Sequence, residues 1–354
     1  MGFGMNEIAR SKPTLDELLK SSSRTFALVI PKLPEPLRTQ VGTAYLVARI
    51  IDEVEDNPRI EPEKKEMMLL VPEAINEGGA KIAQIKEFFS RVEPTKPEYR
   101  TLLDNPNVVH NTMKNFPETI RETIVRHCYN MAFGLSHPEL GKINSIEEHH
   151  EYCHFAAGLV GYMVSELTHL SGLITQDTLS KMMPSPEIRR RGVNSAHDFG
   201  VGLQLVNDIR DIFEDNEAGA PKWPRDLLDR REINFEQIVS LKRGDEQTKV
   251  AYEILREQIE DARKYLDGGV KWVEFLPYEP SGMRECWGSA LAFAAATCRK
   301  INTERFFYDV IYRKIKRAEI KTIQEKIEEL TKQRKSVGEF VEHLFEKSAG
   351  EYSS

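Results

Sequence analysis

The chain has 354 residues, 40% of them apolar and 30% charged, and carries a formal net charge of −7. That is enough sequence for one large core or two domains, and the acidic balance argues against a nucleic-acid partner, which would want a basic face. An anionic ligand would need cations to approach such a surface.

From the N-terminus, "MGFGMNEIAR" (1–10) has no apolar stretch of the secretory kind. Position 6 is Asn where an N-myristoylation pattern wants Ser or Thr. Segment 38–56, "RTQVGTAYLVARIIDEVED", sets Val41, Ala44, Tyr45, Ala48 and Ile51 on one face and predicts a helix. Segment 198–215, "DFGVGLQLVNDIRDIFED", does the same with Val201, Leu205, Ile209 and Ile212. "LAFAAATC" (291–298) predicts a buried helix of small residues. The tail from about 315 reads as a charged amphipathic helix, with Lys321 and Glu325, and Glu328 and Lys332, paired at i,i+4. Pro and Gly clusters at 31–36, 58–62, 94–97, 184–186, 219–224 and 277–282 predict loops between helices. Alternating β-branched runs are scarce, and no run of 18 apolar residues occurs. The expectation is one all-α domain with frayed ends. Cys128, Cys153, Cys286 and Cys298 are widely spaced without a C-x-x-C pair, which fits reduced thiols in a cytoplasmic protein.

"HEYCH" (150–154) matches H-E-x-x-H, the zinc-protease helix, with His150 and His154 as ligands and Glu151 as base. The extended pattern wants Gly at 157 and His at 160, where the chain has Ala157 and Val160. Glu166, the remaining carboxylate for a third ligand, follows His154 too closely for a second helix to return. The alternative is an exposed His150 and a satisfied, buried or half-buried His154, followed by a tightly packed helix whose small residues face a neighbour.

Two acidic stripes carry more chemistry. Asp52, Glu55 and Asp56 stand at i, i+3 and i+4 and share a helix face, with Arg49 and Tyr45 one turn earlier. Gln204, Asn207/Asp208, Asp211 and Asp215 run three turns along one side of the second predicted helix. A solvated charged face is the plain alternative for either stripe alone. Yet both stand in strongly apolar helices, where clustered like charges need a cation to neutralise them. Hard oxygen ligands in this pattern suit Mg2+, completed by phosphate oxygens of a substrate. Facing stripes would clamp a diphosphate, and its departure from an allylic carbon would leave a carbocation needing a dry apolar cavity. A fifteen-carbon tail buried there gains roughly 12 kcal/mol gross, at about 0.8 kcal/mol per carbon.

"SSSRTFALVI" (21–30), "YLVARIIDEVED" (45–56), "YCHFAAGLVG" (152–161) and "GLQLVNDIRDIFEDNEAGAPKWP" (202–224) together resemble the squalene/phytoene synthases, head-to-head prenyltransferases. The resemblance runs from about 15 to 318. It implies an extension at 1–14, a single catalytic domain at 15–318 and a charged helix and tail at 319–354. It implies an all-α isoprenoid-synthase bundle around a central apolar cavity, and it makes H-E-x-x-H an accident of the flank, with no zinc. Asp52, Glu55 and Asp56 match the first acidic motif, and Asp211 and Asp215 the second, both binding Mg2+–diphosphate, with Asn207 beside them. Gln204 and Val160 match cavity positions, and Ser23, Arg24 and Thr25 the segment that meets diphosphate, with Phe26 on the adjoining wall. Tyr45, Arg49 and Arg210 match diphosphate-side partners. Tyr152 matches the tyrosine that assists ionisation or proton removal.

"AGLVG" and "KWP" resemble the squalene branch, which joins two farnesyl diphosphates and reduces the resulting cation with NADPH. The carotenoid branch loses a proton instead, and a third outcome is capture by water. "YRKIKRAE" (312–319) resembles a basic segment that places Lys314 and Lys316 toward diphosphate and NADPH, since no dinucleotide-binding glycine fingerprint is present. Three departures stand out. Ala218-Gly219-Ala220 replaces Gly-Gly-Arg, leaving Lys222 as a point charge without the bidentate fork. Ala290 replaces a proline lining the pocket, and Ala156 a valine. The resemblance lacks the C-terminal membrane anchor of eukaryotic relatives, so the expectation is a soluble enzyme that touches a membrane peripherally. A helical scaffold without catalysis is the non-enzymatic alternative.

Overall fold

The computed structural model describes residues 13–23, 25–60, 63–137, 139–184 and 194–346. Every regular element among them is helical, and the helices that build the site are nine. They are α1 (Leu37–Asp56), α2 (Glu118–Leu135), α3 (Ile146–Cys153), α4 (Leu159–Leu170), α5 (Ser195–Arg210), α6 (Ile212–Glu217), α7 (Gln247–Phe275), α8 (Gly282–Ile301) and α9 (Arg317–Lys332). No helix among the described residues is long and apolar enough to cross a membrane. The four cysteines are buried free thiols. The extreme N-terminus, the last eight residues and positions 185–186 of the predicted loop at 184–186 lie outside the described residues.

The core is built around α5, α7 and α8. Helix α7 packs along α5, and α8 packs on both. Phe199, Trp272 and Trp287 form an aromatic cluster at that junction, with Phe199 and Trp272 centroids 4.5 Å apart. The Trp272 indole N–H donates to Ser165 Oγ at 2.8 Å, which satisfies a buried donor and ties α7 to α4. The expected small-residue helix at 291–298 is the buried middle of α8. Helix α9 adds to α8 by burying Ile323 and Ile327, and its outer face carries the two expected i,i+4 ion pairs.

Two differences from the sequence reading bear on the site. The helix expected over 198–215 is broken: α5 ends at Arg210, Asp211 takes φ −92° and ψ 14°, and α6 restarts at Ile212. The helix expected after position 154 is also interrupted. A π-helical turn spans His154–Gly158 between α3 and α4, a feature that redirects side chains over a single turn. It brings the chain against α5, where small residues are obligatory. A Cβ on Gly200 would sit 2.0 Å from the Ala157 carbonyl oxygen, and one on Gly161 would sit 1.8 Å from that of Ala196. The expectation of small residues facing a neighbour is met here.

The burial pattern of two helices is unusual. From Gln40 to Val54 every residue of α1 is buried except Tyr45, Arg49 and Asp52. In α5 every residue is buried except Leu203, Gln204, Asn207 and Arg210. One apolar face was expected of each; instead each is enclosed on nearly all sides, and the residues left open are polar except for Leu203 on α5. Helix α4 packs on both α1 and α5 and connects them.

Gly200→Ala should push α5 off the π-helical turn and cost about 3 kcal/mol of stability. Urea denaturation of the purified variant checks this, and an unchanged midpoint would contradict the packing described.

Candidate functional site

The open stripe of α1 starts at Tyr45, whose hydroxyl donates to the Ser22 carbonyl at 3.2 Å and whose ring lies 5.3 Å from that of Phe26. Ser22 and Phe26 are thereby seated at the upstream end of the stripe. Ser23 Oγ accepts the Phe26 N–H at 2.8 Å, and Thr25 is exposed. Arg24 lies outside the described residues. Arg49 pairs with Asp52 at 3.2 Å and lies over the Tyr99 ring at 5.4 Å. The stripe ends in Glu55, half-buried, and Asp56 at the rim.

The second row begins with Gln204, whose amide donates to Asp208 Oδ1 at 2.7 Å. Asp208 is itself buried. Its other oxygen accepts from His149 Nε2 at 2.9 Å and from the Cys153 thiol at 3.5 Å. Those three side chains form a cluster with ligand-type atoms within 4.8 Å of one another. The hydrogen bonds within it satisfy the Asp208 carboxylate without a metal. Asn207 is half-buried on the open stripe. Arg210 grips Asp211 with Nε at 2.6 Å from Oδ1 and Nη2 on Oδ2. Asp215, on α6, completes the row. The stop at Asp211 therefore bends the stripe and does not extend it straight.

Tyr152 and Lys222 stand between the rows. Lys222 Nζ lies 3.4 Å from Glu55 Oε1 and 4.0 Å from the centre of the Tyr152 ring. Phe26, Tyr45, Ala156, Val160, Leu203 and Phe213 are half-buried apolar residues packed against the core. Ala290, expected to line a pocket, is buried in α8.

The electrostatics follow from crowding acids in a confined place. Burial pushes the Asp52 carboxyl up to about 6, with Arg49 opposing and Glu55 and Glu53 adding to the rise. Burial and the neighbouring Glu55 hold Asp56 well above the usual carboxylate range. Burial works on Glu55 too, but the Lys222 ammonium and a hydrogen bond with Asp56 bring it below its ordinary value. Burial, then Asp208 and Asp211, push Asp215 up to about 8. Burial, followed by Glu55 and Asp208, raises the Tyr152 phenol well above its usual value. Burial disfavours a charged Lys222, yet Glu55, Asp56, Asp208 and Asp215 outweigh it and hold the proton on.

The residues of H-E-x-x-H are dispersed. His150 was expected to be exposed; it is half-buried, with Nε2 2.5 Å from Asp261, because α7 closes over it. His154 is buried as expected, bonded through Nδ1 to His197 Nε2 at 3.0 Å. Glu166 is bound to Arg126 and, at 3.2 Å, to His127. Lys314 is exposed and pairs with Glu214 at 3.2 Å, beside the second row, while Lys316 is exposed just before α9. Asp208 was read as part of the second stripe, but its partner His149 was not anticipated; the i,i+4 spacing of His149 and Cys153 is the one signal that could have found it. It also missed Arg313, whose guanidinium lies 3.3 Å from the centre of the Phe213 ring and holds segment 310–316 against α6.

A family model described as squalene/phytoene synthase matches residues 19–322. The chain is 26% identical over 282 residues to the squalene synthase of Rattus norvegicus, covering 77% of this chain and 59% of that protein. It is 28% identical over 264 residues to squalene synthase 8 of Panax ginseng, covering 73% and 60%. The chain thus spans about three fifths of the length of these relatives. Among solved structures it resembles TcSQS in complex with the ligand BPH1237 at a TM-score of 0.74, with 23% identity and coverage of 94% of this chain and 95% of that one. A dehydrosqualene synthase in complex with a ligand gives a TM-score of 0.60 at 17% identity, covering 90% and 95%. Both structural likenesses bear on the fold, which is theirs: all-α. With the family model covering most of the sequence, this chain belongs to the squalene/phytoene synthase family.

Proposed function

We propose that the protein joins two farnesyl diphosphates head to head through a cyclopropyl diphosphate and reduces the product cation to squalene with NADPH. The observation that carries this is the pair of acid-bearing rows, Asp52, Glu55 and Asp56 at the end of α1 and Asp211 and Asp215 where α5 gives way to α6, with a tyrosine and a lysine beside them. The squalene synthase names of the curated relatives support the choice within the family.

The donor set fits Mg2+. Its carboxylate oxygens are hard ligands, and Asp52, Asp56 and Asp215 are raised first by burial, with neighbouring carboxylates adding to the rise, a cost that a bound cation would relieve. Asp52, Glu55 and Asp56 would hold metal on one side, and Asn207, Asp211 and Asp215 on the other. Bound Mg2+ would neutralise diphosphate and make it a better leaving group. Arg49 and Arg210 are now paired with Asp52 and Asp211, so metal binding at those acids frees both guanidiniums to meet phosphate oxygens. Tyr152 keeps its phenolic proton at neutral pH, which favours hydrogen-bond donation to departing diphosphate over proton removal as a phenolate. Apolar residues, Phe26 and Val160 among them, would shield the cation from water.

NADPH would use Lys314 and Lys316, which are exposed beside the second row; its phosphate would displace Glu214 from Lys314. Unloading of a hydrocarbon product at a membrane surface is supported by Val310 and Ile311, 70% and 60% exposed next to these lysines. Buried free thiols support a reducing cytoplasm as the location.

Incubation with farnesyl diphosphate and Mg2+, with and without NADPH, followed by gas chromatography, should give squalene only with NADPH. The same hydrocarbon or alcohol in both tubes would assign the proton-loss or water-capture branch instead. Asp52→Asn and Asp211→Asn should each lower turnover by at least roughly a hundredfold, as expected when a metal clamp loses a ligand, with unchanged far-UV circular dichroism. Full activity in either would refute the clamp.

The raised carboxylates also set a pH dependence. Asp215 binds its proton up to about pH 8 in the fold but releases it near its ordinary value when unfolded. Between those values the folded state holds more protons, so stability falls as pH rises. Thermal denaturation in EDTA should show a higher midpoint at pH 5 than at pH 8. Asp215→Asn should flatten that difference, and Mg2+ should raise the pH 8 midpoint. An unchanged slope in Asp215→Asn would contradict this.

A further inference from the structure

The chain departs from its family where a phosphate-binding arginine is usual. Ala218, Gly219 and Ala220 are exposed and carry no charge there. The next cation, Lys222, does not reach outward from this loop. It is 6% exposed and turned inward between the acidic rows. The backbone around it is anchored: Trp223, the next residue, is fully buried, and its indole N–H donates to the Ile209 carbonyl of α5 at 3.3 Å. The ammonium lies 3.4 Å from Glu55 of the first row and 4.0 Å from the centre of the Tyr152 ring, and the charges of Asp56, Asp208 and Asp215 also act on it. One tethered cation thus touches the first row, the central tyrosine and the field of the second row. Burying an ammonium is costly unless several anions compensate it, and here they do. Asp208 belongs to the same arrangement: His149, Cys153 and Gln204 keep its carboxylate fixed behind the row.

We infer that Lys222 is a built-in counter-cation that occupies the clamp in the free protein, weakens its binding of Mg2+ alone, and so makes metal enter together with diphosphate rather than ahead of it. This rests on the magnesium–diphosphate reading above. The reason is Coulombic. An ammonium at Glu55 repels a dication seeking the same carboxylate, and the low-dielectric site strengthens that repulsion. A diphosphate reverses the balance, because its oxygens attract the lysine and the metal together. Lys222 then meets the phosphate as a point charge from the side where the arginine is missing.

Isothermal titration of the full chain tests it, using Mg2+ alone, and Mg2+ in the presence of inorganic diphosphate. Native protein should bind Mg2+ at least about tenfold more tightly with diphosphate present than without it. Lys222→Met should bind Mg2+ alone at least about tenfold more tightly than the native chain, since the competing charge is gone. Lys222→Arg, which keeps the charge, should stay near native. Lys222→Met should also melt earlier in EDTA and recover with Mg2+. Equal affinity of Lys222→Met and native protein for Mg2+ alone would overturn the inference while leaving the clamp intact. Should Lys222→Met not fold, native protein that binds Mg2+ equally with and without diphosphate overturns it as well. Native protein with no Mg2+-dependent diphosphate binding at all would instead remove the clamp reading, and this inference with it.

Discussion

Repulsion among carboxylates is the constraint around which the rest of this molecule is arranged. Helices α1 and α5 are enclosed by neighbours on nearly every side, so acids on them could be accommodated only where the fold leaves an opening. Helix α1 opens at Tyr45, Arg49 and Asp52 and ends in Glu55 and Asp56, while α5 opens at Leu203, Gln204, Asn207 and Arg210 and hands on to Asp211 and Asp215. The consequence is visible in protonation: Asp52 and Asp215 are pushed up to about 6 and about 8. Such a site is unstable toward like charge and attractive to cations. That is a poor design for a structural face and an effective one for gathering a metal and an anion.

The scaffold delivers this arrangement by close backbone approach. Glycines at 161 and 200 let the π-helical turn and α4 lie directly on α5. The turn begins two residues after Tyr152, so the ring is fixed by α3 while the chain bends away beyond it. The result places the phenol beside Lys222 and the first row. Trp223 works from the other side, anchoring to Ile209 and so aiming Lys222 at the same ring.

Charged residues gather where α1 ends and where α5 gives way to α6, while Phe26, Val160 and Leu203 lie among the partly buried apolar residues packed on the core. A diphosphate head and a prenyl tail make the same division within one molecule. Arg49 and Arg210 each pair with an acid of its own row, Asp52 and Asp211.

Much of this was legible in the sequence because helical periodicity is local. The stripe Asp52–Glu55–Asp56 and the stripe from Gln204 to Asp215 can be read from spacing, since 3.6 residues per turn fixes which side chains share a face. The all-α class follows from the same periodicity and from the scarcity of strand-like runs. Spacing does not reveal what faces the stripe. The contact between Lys222 and Glu55 spans 167 positions, and the one between His149 and Asp208 spans 59. Nor did spacing announce the break at Asp211, because backbone dihedrals there answer to packing and not to the pattern of apolar residues. The sequence determined that acids would line two helices; tertiary packing alone decided that those lines would meet around one lysine and one tyrosine, because long-range contacts depend on how whole helices dock.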